Sequence, residues 1–304
     1  RMTRTAISPR LAIRIFVRGL VDTSDNVGLM ETPFATSNDE NLPGEPIFGE
    51  KIGKFPESWQ VRWLATTGST NDDLLEAGRA GAPDRVALVT DYQSAGRGRL
   101  DRTWVAPDGA NLLVSLLLRN VPRFPHALTH AVALAAAAAS ETVVASNGGK
   151  VEVDLKWPND LLVDGRKLAG ILSVAGPIKQ MMTDIDSYAA PDFVVVGLGL
   201  NVGWAPDGAV CLQEFATADI SRDAVLAALL VELNHLLELS PTHLHERYRA
   251  KLSTLQRAVR IELPSGEFVE GRAMDVEVDG RLVVLDSCGI TQRLDVGDII
   301  HLRS

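Results

Sequence analysis

The sequence carries only two cysteines, Cys211 and Cys288, far apart and without metal-ligand spacing. That excludes a disulfide framework and a cysteine-built metal cage, and it suits a reducing, cytoplasmic setting. No apolar run is long enough to cross a bilayer. The longest, residues 131–139, is alanine-rich, bounded by His130 and Ser140, and reads as a buried helix, so no membrane partner is expected. Positive charge is in deficit: a formal net charge of -9 over 304 residues disfavours long-range attraction to nucleic acid, although a local basic patch still suits phosphate. The six histidines are scattered, none in HExxH spacing, and His243 and His245 fall on a polar helical stretch. There is no GxxxxGK loop, no GxSxG elbow and no evident cysteine–histidine pair, so the commonest covalent mechanisms lack their residues.

What is present is an ordinary globular composition, 46% hydrophobic and 23% charged, in a chain long enough for a large domain with an appendage. Residues 1–54 differ from the rest. Arg1, Arg4, Arg10, Arg14 and Arg18 precede the first acid, Asp22, and a Pro, Asn, Glu and Ser-rich stretch follows. This segment has the composition of a targeting presequence but is a poor secretory signal, because arginines break its apolar run. It is expected to be a poorly ordered extension. A globular pattern begins at 55. Strands are expected at 60–65, 85–91, 111–118, 151–156, 160–163, 167–175 and 193–200, and helices at 71–79, 126–145, 222–239 and 241–253. The close spacing of the strands after 151 favours antiparallel pairing. From 255 to 304 short alternating runs, at 258–263, 267–275, 282–286 and 291–294, are separated by Ser265-Gly266, Asp279-Gly280 and Cys288-Gly289, the pattern of a small all-β unit.

The chemistry concentrates in residues 93–104, QSAGRGRLDRTW, a glycine-rich loop between two expected strands that carries Arg97, Arg99 and Arg102. Glycines let the main chain approach an anion, and guanidinium forks hold phosphate or carboxylate. Two uses of such a loop stand open, dinucleotide binding and activation of a carboxylate by ATP. The first wants GxGxxG opening a helix; here a strand follows, and GLGLN at 197–201 also lacks the third glycine. Lys156 is the other candidate. It ends an alternating strand, and Trp157-Pro158 after it would fix its direction, with Asn159 and Asp160 placed to meet a ligand.

Five motifs in order, GSTN at 68–71, QSAGRGRLDRTW at 93–104, KWPNDLL at 156–162, GRKLAGIL at 165–172 and GLGLN at 197–201, resemble those of the biotin protein ligases, and the resemblance runs from about Gly53 to the end. It implies an α/β (α+β) catalytic core like that of class II aminoacyl-tRNA synthetases over 55–254, with a mixed sheet, and an SH3-like small β-barrel over 255–304. It implies an enzyme that joins biotin and ATP, with Mg2+ accompanying the nucleotide and no protein-built metal site, into biotinyl-5'-AMP. Biotin then passes to a lysine of a biotin carboxyl carrier domain.

Carried over residue by residue, Ser69, Thr70, Asn71 and Gln93 are expected at the polar ring of biotin, with Gly96, Gly98 and Gly170 allowing close backbone approach. Arg97, Arg99 and Lys156 are expected at the carboxylate and phosphate as the catalytic cations. Arg102, Trp104, Asn159 and Asn201 are expected on the nucleotide side. The loop is expected to be mobile without ligand. Asp101 departs from the resemblance, since a glycine is usual there. Residues 1–54 show no winged-helix pattern, so a ligase without a DNA partner is expected, as monomer or weak homodimer. A lipoate or octanoate ligase on the same core, or a noncatalytic adaptor, are the rival readings.

Overall fold

In the computed structural model, residues 55–100, 102–182, 187–295 and 297–301 are described. The extension 1–54 and Asp101 lie outside the described residues.

The first crossover sets the sheet. Strand β1 (Gln60–Thr67) leads through helix α1 (Thr70–Arg79) to β2 (Val86–Gln93), and the two strands pair in parallel, as a helical connection requires. All other pairings of this sheet are antiparallel. Strand β3 (Leu112–Leu118) is LLVSLLL and buried throughout, which places it in the interior of the sheet. Helix α2 (His126–Ser146) follows, then β4 (Asp154–Lys156), β5 (Asp160–Val163) and β6 (Arg166–Ala175). Asp164 and Gly165, with φ of 51° and 73°, form the tight β5–β6 turn, where both central residues must be left-handed. A small hairpin, β7 (Ile178–Met182) with β8 (Ser187–Pro191), precedes β9 (Val194–Leu200). The seven-stranded order is β1-β2-β3-β9-β6-β5-β4.

Helices cover both faces unequally. On one side α2, α3 (Arg222–Leu237) and α4 (Pro241–Lys251) bury a long apolar core against Leu116, Val196 and Leu198. The near-continuous alanines of α2 keep that helix thin enough to be buried between the sheet and its neighbours. Ser221 and Ser240 cap α3 and α4 by accepting from Asp223 N and His243 N, each cap contributing about 1 kcal/mol. On the other side α1 alone packs down, with Leu74 over Leu117, Phe193 and Val195. Because α1 is short, part of that face is left for the cavity.

A second, antiparallel sheet, ordered β13-β12-β11-β10-β14, is built from β10 (Ala258–Glu262), β11 (Phe268–Val276), β12 (Leu282–Asp286), β13 (Thr291–Leu294) and β14 (Asp298–His301). Its Val259, Ile261, Val276 and Leu282 join the same apolar cluster as Leu155 and Trp157. Trp157 Nε1 donates to Gly280 O at 3.0 Å, and His126 Nε2 lies 2.8 Å from Val278 O. His130 stacks on Tyr248 and meets His126 edge-on, and burial drives its pKa well below the usual histidine value. The expected elements match to within a few residues. The β7–β8 hairpin and β14 were not expected, and residues 151–153 precede β4 without joining it.

Candidate active site

A cavity of about 430 Å³ opens on the α1 side of the sheet. Its floor is where two neighbouring strands, β6 and β9, lack side chains. Gly170 on β6 pairs with Gly199 on β9, and Gly197 lies two residues back on the same strand, so all three share one face. A Cβ on Gly197 would overlap the Asn71 carboxamide, and one on Gly199 the Trp104 indole. The glycines are therefore required by close approach.

One end of the cavity is a buried polar relay. Thr70 N donates to Gln93 Oε1 at 2.9 Å, Thr70 Oγ1 donates to Ser115 Oγ at 2.7 Å, Ser115 Oγ donates to Asn71 Oδ1 at 2.7 Å, and Asn71 Nδ2 donates to Leu172 O at 3.0 Å. Ser69 beside them is buried at the N-terminus of α1, its hydroxyl making no cap hydrogen bond. The relay fixes each group in orientation, and among the described residues the Gln93 Nε2 has no acceptor.

The arginine loop is a self-supporting hairpin. Trp104 N donates to Gly96 O at 3.0 Å, Gly98 N to Arg102 O at 2.7 Å, and Arg97 bridges Thr103. Arg97 forms an ion pair with Asp72 in the first turn of α1, and Arg99 Nη1 donates to Asn159 Oδ1 at 3.1 Å. Asn159 is itself held to β6 through Ile171 O at 2.9 Å. Lys167 Nζ lies 2.7 Å from Asp160 Oδ1 and 5.7 Å from the centre of the Trp104 ring. The Trp104 Nε1 is buried and has no partner among the described residues, so it keeps a hydrogen bond for a ligand. Beyond lie Asn201, Trp204, Pro206 and Ala209. Along β9 the distance from Gly197 to Asn201 is about 13 Å at ~3.3 Å per residue.

Most expected residues meet here. Ser69, Thr70, Asn71, Gln93, Arg97, Gly98, Arg99, Arg102, Trp104, Asn159, Gly170 and Asn201 all line the cavity. Two do not. Gly96 is turned to its own hairpin, where a Cβ would stand 2.5 Å from Trp104 O. Lys156 sits on β4, the outermost strand, with β5 between it and β6. Its charge is felt instead at His301, whose pKa is pushed down to about 4, first by burial and then by Lys156 and Arg257. The lysine brought into the cavity is Lys167, and Gly170 leaves room beside it and Trp104.

The profile of the biotin/lipoate A/B protein ligase family matches residues 63–181. A biotin--[acetyl-CoA-carboxylase] ligase of Mycobacterium tuberculosis is 38% identical over 255 residues, spanning 80% of this chain and 90% of the relative. The chain belongs to the biotin protein ligases. The bifunctional ligase/repressor BirA of Bacillus subtilis is 30% identical, over 73% of the ligase described here and 68% of its own length. In fold the ligase matches a biotin protein ligase from Aquifex aeolicus, solved in complex with biotin and ATP. The TM-score is 0.63, with 24% identity, over 81% of this chain and 99% of that one. The mixed α/β architecture with one large mixed sheet is thus that of the family.

Residue-by-residue reading of the ligase missed Ser115, Lys167 and Trp204. Ser115 is a lone hydroxyl inside an apolar strand, which signals a polar function on one face. Lys167 was within the GRKLAGIL motif, and only the hairpin geometry decides between it and Lys156.

Proposed function

We infer that this ligase adenylates biotin with ATP and transfers the biotinyl group to a lysine of a biotin carboxyl carrier domain. One observation carries the reading of the site: a single trough has a buried polar end, a cationic middle and a far end bounded by Asn201 and Trp204, in that order. The ureido ring of biotin suits the Thr70, Asn71, Ser115 and Gln93 end, because that ring presents both donors and acceptors to a fixed relay. A lipoyl dithiolane offers nothing to those groups, and leaving them unpaired on binding would be costly. The biotin carboxylate then reaches Arg97, Arg99 and Lys167, and the nucleotide extends toward Asn201 and Trp204, with Trp104 against the adenylate.

In the first step a carboxylate oxygen attacks the α-phosphorus and pyrophosphate departs. Two anions must meet, and the three cations offset their repulsion and the charge that builds in the transition state. Among the described residues no group of three or more His, Cys, Asp or Glu side chains is placed to hold a metal ion, and Asp160 is already paired with Lys167. Magnesium suits this site as a companion of the phosphates rather than as a caged ion. In the second step a carrier lysine amine attacks the anhydride carbonyl and AMP leaves, with placement of the amine the main requirement. The hairpin at 96–104 overlies the reacting centre and shields the anhydride from water. The finer fold reading is a class II synthetase-like core with an SH3-like C-terminal unit, acting in the cytoplasm.

The test is exchange of labelled pyrophosphate into ATP with biotin, lipoate and octanoate in parallel. Exchange with biotin alone is expected. Exchange with lipoate alone would reassign the polar end, and none with any acid, from folded protein with magnesium, would overturn the reading.

A further inference from the structure

The turn that closes the far end of the trough is held from inside the sheet. Asn111, immediately before β3, is fully buried and does not line the cavity. Its Oδ1 accepts from Val202 N at 3.0 Å and from Trp204 N at 3.2 Å, and its Nδ2 donates to Asn201 Oδ1 at 3.2 Å. Asn201 passes the linkage on, its Nδ2 donating to Val210 O at 3.0 Å. A carboxamide can make four hydrogen bonds, and three of those of Asn111 go to one four-residue turn.

That arrangement is a clamp. Only a side chain with both an acceptor and a donor on one carbon can gather two backbone N–H groups and a second carboxamide. An apolar residue would leave those N–H groups buried and unpaired. The turn it gathers carries Asn201 and Trp204 to the cavity wall. Asn201, which the family resemblance puts on the nucleotide side, thus has its oxygen and one N–H engaged within the protein. Trp204 is half-buried and lines the trough.

We propose that Asn111 is a positioning residue for the nucleotide half of the site, acting on ATP only through the placement of Trp204 and Asn201. This rests on the reading that ATP occupies that end.

The experiment measures KM for ATP and for biotin, and kcat, by pyrophosphate exchange in Asn111→Ala, Trp204→Ala and the double variant. Asn111→Ala is expected to raise the ATP KM about tenfold while the biotin KM stays within about twofold. Trp204→Ala is expected to raise the ATP KM as well. The double variant should be no worse than the more damaged single one, because both act on the same ring. An equal rise in the biotin KM, or effects that multiply in the double variant, would overturn the proposal.

A raised ATP KM in Trp204→Ala with none in Asn111→Ala would refute the role of Asn111 alone. An unchanged ATP KM in Trp204→Ala, in wild-type background that exchanges with biotin, would instead overturn the nucleotide assignment of that end. Should Asn111→Ala not fold, Asn111→Asp keeps both acceptor bonds and loses only the donor to Asn201. Because a carboxylate oxygen then faces Asn201 Oδ1, a raised ATP KM with an unaltered biotin KM supports positioning through Asn201, and an unchanged ATP KM refutes that link.

Discussion

Lys167 on β6 and Lys156 on β4 make opposite predictions, with β5 lying between them. Replacing Lys167 with Gln removes a cation from the middle of the trough while keeping a side chain of similar reach. At ~4 Å from a phosphate oxygen and an effective dielectric of ~20, the lost attraction is about 4 kcal/mol at most. Removing a single preorganised group at a developing charge typically costs about 10²–10³ in rate. A loss of that order in kcat for biotin-dependent pyrophosphate exchange is therefore expected.

Lys156 lies two strand spacings from β6, about 10 Å, where water-screened attraction is about 0.4 kcal/mol, or roughly twofold. Lys156→Gln should thus remain nearly as active as wild type. Lys167→Gln also leaves Asp160 without its partner at 2.7 Å, so thermal stability must be followed in parallel. Lys167→Arg controls for charge alone. Loss of exchange in a folded Lys156→Gln, with retention in Lys167→Gln, would refute the geometric argument.

Three further outcomes follow from the same structure. Gly199→Ala places a methyl against the Trp104 indole, so adenylation should fall about tenfold or more with a modest loss of stability, and tryptophan fluorescence should change; an unaltered enzyme would show that the floor can relax. His126, His130, His245 and His301 all have pKa values lowered by burial. The unfolded chain therefore binds more protons below about pH 6.5, so stability held at neutral pH should fall as the pH drops from there, by up to about 1.4 kcal/mol per unit for each histidine that stays neutral; a melting temperature constant from pH 7.5 to 5 would count against this. Finally, trypsin should cut the ligand-free protein at Arg97, Arg99 or Arg102, and biotin with ATP should slow the cut, whereas equal rates would contradict closure of the hairpin over ligand.

Much of this was legible because local rules and packing agree. The seven strands expected before residue 201 and the four helices follow from alternation, caps and turn residues such as Asp164-Gly165. The β7–β8 hairpin escaped because residues 178–191, IKQMMTDIDSYAAP, contain no glycine and no tight-turn pair. The motifs found both ends of the cavity, since GSTN, GRGR and GLGLN carry residue types with few other uses. They pointed to Lys156, whereas Lys167 lines the cavity, because that choice depends on which strand crosses the floor. Asn111 was invisible for a related reason: its function lies in three bonds to residues about 90 positions away.

The bare floor of Gly170, Gly197 and Gly199 has a thermodynamic meaning of its own. Where α1 reaches, Leu74 and its neighbours form a second layer on that face of the sheet, and beyond it the protein supplies no such layer. A bound ligand becomes the missing layer, so the enzyme finishes its second core only when loaded. Occupancy should register as stability, about 2.7 kcal/mol at a ligand concentration 100 times Kd. In the pose proposed above, the product of the first half-reaction would span the whole floor and be the species that most completes the fold, and a protein that is tightest around its own intermediate has reason to keep it until an acceptor arrives.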